Sequence, residues 1–424
     1  MTNIISSRRA SRAMVLACWL VYSVAYIARN TYSASIVTLT GAGLLSQSDA
    51  GLIGTCYFVC YGAGHLINGI LADRISPVFM IVTGLCGTTV CNLLMTAVTP
   101  TVWLMLIVWS ANGFLQAMLW SPIIHILSGM IAPSTRDRAL VVMAATVPAG
   151  TIAAYLITSV CSYFGASWTL PYLIASGATA AVCAIFLLLR QSAVRIALTD
   201  PDAADEVVPE VAPELASQSA GHSIIALLAA SGTLVFLIPV VFHGMLKDGV
   251  MTWVPSMLTD SYGISDSLST LLAVMLPIAN LAGSFISNFL FIHVFRRNHA
   301  ATGALVMLLT AIPTALVLKT GQFPLAVIVA CLALVSMLTT GFNYIFSSLI
   351  PAEFAVFGRA STVSGVFNST IYVGSALSTY VFGAVAQRLS WNATVAVWLA
   401  LTLISAAVLL AMVRPWRRFL NRLG

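Results

Sequence analysis

Residues 14–38 read MVLACWLVYSVAYIARNTYSASIVT, an apolar run broken by one charge, Arg29. About 20 apolar residues, each rising 1.5 Å, cross the roughly 30 Å hydrocarbon core of a bilayer, so the stretch predicts a membrane-crossing helix. A cation at mid-bilayer costs roughly 2.5–3.5 kcal/mol on insertion scales, which makes it a candidate functional group. A second apolar run, near 231–258, carries Lys247 in the same way. Each cation lies about 16 residues, or about 24 Å, from the cytoplasmic start of its helix. Two cations at matching depth suggest a binding site for an anion.

The whole chain agrees with this reading. Its 424 residues are 59% hydrophobic and 8% charged, with a mean hydropathy of +0.98. That composition excludes a soluble domain and predicts an all-α polytopic membrane protein; the runs are too long for barrel strands. Twelve transmembrane helices are expected, at about 14–38, 51–71, 78–98, 102–128, 139–161, 169–190, 231–258, 267–291, 301–319, 324–349, 360–386 and 391–413. Between the sixth and seventh lies the polar stretch Gln191–His222. It holds six of the thirteen acids (Asp200, Asp202, Asp205, Glu206, Glu210, Glu214) and Pro201, Pro209 and Pro213. It reads as a solvated cytoplasmic linker joining an N-terminal six-helix half, 1–190, to a C-terminal half, 223–424. The eight cysteines lack zinc or redox spacing and read as packing residues. No cleavable signal peptide, cofactor, metal site or catalytic constellation is expected, and enzyme activity is not expected. The isoelectric point near 9.0 does not imply nucleic acid, because the basic residues flank the spans.

With the amino terminus inside, fifteen of the nineteen Lys and Arg residues are cytoplasmic, only Lys319 and Arg388 are outside, and Arg29 and Lys247 remain. The positive-inside rule therefore places both termini in the cytoplasm. The halves repeat: Arg29 precedes Asp49 by 20 residues, and Lys247 precedes Asp266 by 19. Both acids open the next span, and each of these spans has small residues near its middle, Gly62 and Gly64 in one, Ala282, Gly283 and Ser284 in the other. Two related halves around a midplane site resemble the major facilitator architecture.

The loop Gly69-Ile70-Leu71-Ala72-Asp73-Arg74 resembles the major facilitator loop signature G-x-L-a-D-r. The second half lacks the corresponding acid, reading Phe291-Ile292-His293-Val294-Phe295-Arg296-Arg297-Asn298. The resemblance implies a cytoplasmic gate in which Asp73, beside Arg74, pairs with Arg136 or Arg138. An ordinary helix-end ion pair is the alternative.

Tyr22-Ser23-Val24-Ala25-Tyr26-Ile27-Ala28-Arg29 is similar to the organophosphate:phosphate antiporter family, which exchanges glycerol-3-phosphate and hexose phosphates for phosphate. The resemblance implies that Arg29 binds phosphate with Tyr26 and Tyr22, on one helical face at spacings of three and seven. It extends to Tyr61-Gly62-Ala63-Gly64-His65, to Gly113–Pro122 with Trp120, to Val294–Gly303 and to Trp253-Val254-Pro255. The family's second binding cation lies six residues before that tryptophan, at Lys247. Tyr61 and Trp120 are implied cavity residues, with ordinary aromatic packing the alternative, and Asn368 and Tyr372 are candidate cavity residues of the second half. Asn343 and Tyr344 are further candidates.

The departures concern charge. His65 replaces a usual lysine, Asn30 follows the arginine where lysine is common, and the fifth helix lacks the family's histidine. His65 is either a site residue that titrates near neutrality or a packing histidine. Asp248, next to Lys247, is expected to point about 100° away from it on the helix. It would neutralise a cation, carry a coupling proton, or partner His243.

The two cations and the resemblance together imply a secondary transporter of small organic anions, foremost organophosphates exchanged for inorganic phosphate by rocker-switch alternating access. The alternatives are a proton-coupled carboxylate symporter and a transporter-like ligand sensor. Two unit charges about 10 Å apart repel by about 1.7 kcal/mol at an effective dielectric near 20, a reason for an empty site to return slowly. A monomer in a bacterial inner membrane is expected, with the bilayer, a small anion and phosphate or protons as partners.

Overall fold

The computed structural model describes residues 7–72, 75–129, 139, 142–143, 145–199, 228–229, 231–354 and 360–421. These form two units, Met1–Leu45 with Cys56–Glu210, and Ser46–Thr55 with Val211–Gly424. The gate residues expected from the sequence, Asp73, Arg74, Arg136 and Arg138, lie outside the described residues.

Helices α1 (Arg8–Gly41), α2 (Gln47–Ala72), α3 (Pro77–Val98), α4 (Val102–Gly129), α5 (Thr146–Tyr163) and α6 (Leu170–Thr199) come first. Then follow α7 (Thr233–Tyr262), α8 (Asp266–Ala273), α9 (Met275–Phe289), α10 (His299–Val317), α11 (Leu325–Tyr344), the single turn α12 (Ile350–Glu353), α13 (Ala360–Arg388) and α14 (Trp391–Leu420). Helices α8 and α9 together cross as one rod. Ten rods among the described residues are long and apolar enough to span a membrane. Helices α2 and α5, of 26 and 18 residues, complete the twelve expected from the sequence. Lipid leaves no water to satisfy a backbone, so helices that bond internally are the favoured solution.

Several details differ from the sequence reading. The eighth span breaks at Val274, because Pro277 has no N–H to offer the carbonyl of Ala273. Two rods end in a π turn, Leu290–Val294 after α9 and Ile345–Leu349 after α11. Helix α6 continues to Thr199, past the expected linker start at Gln191, because Ala193 and Ile196 pack on Ala10 and Ala13 of α1.

In the first unit, Met14, Val21, Leu85, Leu119, Ile123, Ile126 and Phe186 close a core among α1, α3, α4 and α6. Aromatic side chains Trp103, Tyr163 and Phe164 stay exposed at helix ends, the place of an interfacial aromatic belt. Gly150 lets α5 approach α1: a side chain there would overlap the carbonyl of Ser23 and the Cβ of Tyr26.

In the second unit, Phe236, Phe342, Phe346, Phe354, Phe367 and Trp416 build the core. Asp260, near the end of α7, accepts from Gln47 Nε2 at 3.0 Å and from Trp391 Nε1 at 2.8 Å. The turn into α10 carries two consecutive left-handed residues, Arg296 at φ 48° and Arg297 at φ 64°. Each costs roughly 1–2 kcal/mol for a residue with a Cβ, and Asn298 then caps α10 by accepting from Ala301 N at 3.1 Å.

Beside this turn, Trp416 Nε1 donates to His299 Nδ1 at 3.1 Å. The proton of a neutral ring therefore sits on Nε2, which lies 3.6 Å from Glu353 Oε1. Burial raises the Glu353 carboxyl above its ordinary value, and the Arg297 charge opposes that rise. An acid with a raised folded-state pKa binds more protons folded than unfolded, so stability is lost as pH rises from the ordinary carboxylate value through the raised one. Glu353→Gln is expected to remove that slope in thermal unfolding scans from about pH 4 to about pH 7; an unchanged slope would assign it elsewhere.

Candidate functional site

Each unit holds one of the two intramembrane cations. Arg29, about two thirds of the way along α1, is only 8% exposed. Its guanidinium carbon lies 4.9 Å from the ring centre of Phe58, 5.0 Å from Tyr61, 5.3 Å from Tyr26 and 5.5 Å from Tyr57. Each such face contributes about 0.5–2 kcal/mol to a cation, so four together can offset the cost of placing a charge at mid-bilayer. Ring faces use none of the five N–H donors of a guanidinium, which act in its plane.

The structure joins the candidates of this unit into one chain of rings. Trp120 lies 4.6 Å from Tyr22, and Tyr22 lies 5.3 Å from Tyr26, centre to centre. On the far side of Arg29, Tyr61 meets the His65 ring edge-on at 4.5 Å. Helix rotation is set by the α1–α5 contact at Gly150 and by Asn30 Nδ2 donating to Thr151 Oγ1 at 2.9 Å.

Sequence reasoning missed Tyr57, Phe58 and Gln116. Tyr57 stacks on Tyr61 at 5.7 Å, one helical turn away, and its hydroxyl donates to Gln116 Oε1 at 2.8 Å. The i, i+4 spacing Tyr57, Tyr61, His65 was the available signal. Tyr57→Phe leaves a buried amide oxygen without its donor, which costs about 1–3 kcal/mol. A lowered midpoint of thermal unfolding, with Tyr61→Phe as comparison, checks this expectation.

In the second unit Lys247 and Asp248 sit near the middle of α7. Their side chains do not diverge as helix geometry alone suggests: Lys247 Nζ lies 3.6 Å from Asp248 Oδ1. A flexible four-carbon lysine stem has the length to reach an adjacent carboxylate. Ser375 of α13 donates to Asp248 Oδ2 at 2.5 Å. His243 does not partner Asp248 by a hydrogen bond; its Nε2 lies 3.3 Å from Asn343 Oδ1, against the Phe342 ring. Asn368 is exposed on α13 and donates to Ser364 Oγ at 3.3 Å, and Tyr372 is half-buried one turn later. Ser375 shares their helical face and was legible only as part of that polar stripe. Among the described residues no group of His, Cys, Asp and Glu is arranged to hold a metal ion.

Residues 18–379 match the Major Facilitator Superfamily. The chain belongs to that superfamily. The facilitator is therefore one of a superfamily of membrane transporters and not an enzyme. It is 30% identical to the membrane sensor protein UhpC of Escherichia coli (strain K12) over 105 residues, which are 25% of this chain and 24% of the sensor. It is 23% identical to the glycerol-3-phosphate transporter of Bacillus subtilis (strain 168) over 394 residues, 91% of this chain and 88% of the relative. The resemblance to the organophosphate:phosphate antiporters is borne out by these relatives. In structure the facilitator is similar to a bacterial homologue of the human lysosomal transporter Spinster, with a TM-score of 0.77 at 14% identity, over 97% of this chain and 99% of that one. That likeness shows the fold.

Proposed function

We propose that this facilitator transports small organic anions, organophosphates foremost, in exchange for inorganic phosphate by alternating access. The observation that carries the reading is Arg29, a buried guanidinium surrounded by four aromatic faces. In this reading Arg29 and Lys247 are the two anion-binding cations, one from each unit. Arginine forks two bonds to a phosphate, while lysine acts as a point charge. Tyr22, Tyr26, Tyr61, Trp120 and His65 serve Arg29 within its unit, and Asn368 and Tyr372 serve Lys247 within the other. The glycerol-3-phosphate transporter supports phosphorylated substrates. Identity to a membrane sensor favours a second reading, in which ligand binding signals more than it transports.

The excess of Lys and Arg in the loops assigned inside supports cytoplasmic termini, in a bacterial inner membrane. We take the working unit to be a monomer. The test is uptake of labelled phosphate into proteoliposomes loaded with unlabelled phosphate. Uptake that internal phosphate accelerates supports exchange. Folded protein that binds phosphate or an organophosphate without moving it supports the sensor. Folded protein that neither binds nor moves either anion sinks both.

A further inference from the structure

We propose that Asp248 is a resident counter-anion of Lys247, a carboxylate that the substrate must displace. The inference rests on the reading of Lys247 as an anion-binding cation. Both carboxylate oxygens have a partner: Oδ1 lies 3.6 Å from Lys247 Nζ, and Oδ2 accepts from Ser375 Oγ at 2.5 Å. Ser375 is fully buried on α13, so it anchors the carboxylate from the neighbouring helix. The lysine side chain is 34% exposed against 15% for the aspartate, so the lysine is the more accessible partner of the pair.

The pair carries no net charge. An arriving anion competes with a built-in one, which weakens binding and favours a dianionic phosphate over a monocarboxylate that only equals Asp248 in charge. When the anion leaves, Asp248 reclaims Lys247, and the empty site carries one less uncompensated cation. Compensation of Lys247 lowers the cost of leaving its site empty, so net transport accompanies exchange.

The test compares exchange with net uptake of labelled inorganic phosphate in proteoliposomes at a clamped membrane potential. Wild-type protein is expected to fill phosphate-free vesicles within about fivefold of its exchange rate. Asp248→Asn is expected to bind phosphate about tenfold more tightly and to lose net uptake about tenfold relative to its own exchange, the scale set by removing one neighbouring charge. Ser375→Ala, which frees the carboxylate without removing it, is expected to shift both readings less and towards the same side; it carries the transport test if Asp248→Asn does not fold. An unchanged ratio of net uptake to exchange in the variants overturns the proposal. Thermal unfolding of Lys247→Ala, Asp248→Asn and the double variant gives a readout without substrate. A double variant more stable than the two separate losses predict supports the pair, and strictly additive losses overturn it. Wild-type protein that unfolds cooperatively yet neither binds nor moves phosphate removes the transport reading alone, and the thermal cycle still decides the ion pair.

Discussion

Arg29→Ala is expected to abolish phosphate exchange while the protein stays folded. A hydrogen bond to a charged group contributes about 1.5–3 kcal/mol, so a forked pair is worth at least about 3 kcal/mol, or roughly a hundredfold in binding. Arg29→Lys keeps the charge and loses the fork, and is expected to recover only a small part of the activity. Stability is expected to move little in the alanine variant. It loses the attraction of the rings of Tyr26, Tyr57, Phe58 and Tyr61, and it also loses the cost of a charge at mid-bilayer. Equilibrium phosphate binding and thermal unfolding on the same samples separate the two effects. Wild-type exchange in Arg29→Ala would remove Arg29 from the site.

Gly244→Val is expected to produce the largest loss of structure. A Cβ at Gly244 would overlap the carbonyl of Ile371, and one at Gly374 would overlap the carbonyl of Val241. The obstacle is backbone on both sides, which cannot swing away as a side chain does. Overpacking of a close helix contact costs about 1–3 kcal/mol or more, and here it also pulls Ser375 from Asp248. The registers coincide: Asp248 is four residues after Gly244, and Ser375 is four after Ile371, so one contact sets both. Gly365→Ala is the control, since nothing lies within 4 Å of its added Cβ; it is expected to be neutral or slightly stabilising, because alanine favours a helix by about 1 kcal/mol. Yield of monodisperse protein and the unfolding midpoint measure both. A Gly244→Val protein as stable as Gly365→Ala would show that α7 and α13 do not need this approach.

Much of the first unit's candidate site was legible because it is local. Tyr22, Tyr26 and Arg29 share a face of α1 by helical period, and Tyr61 and His65 share one of α2. The remaining wall was not, because Tyr57 and Phe58 look like ordinary apolar helix positions until a cation is placed beside them. Gln116 becomes relevant only through the Tyr57 hydroxyl that reaches it.

The sequence by itself determined the class and the scale of this protein. Long apolar runs in a chain with 8% charged residues leave helices as the way to satisfy a backbone in lipid. Rare intramembrane charges mark Arg29 and Lys247 without any contact being known. Only the tertiary structure decided what those charges meet. Helical geometry sets Lys247 and Asp248 apart, and it says nothing of a serine 127 residues away. The close approach of α7 and α13 at Gly244 and Gly374 brings Ser375 to Asp248, and the long lysine stem closes the pair. Period and composition are properties of one helix, whereas the partner of a buried charge depends on which helix packs against it and at what register.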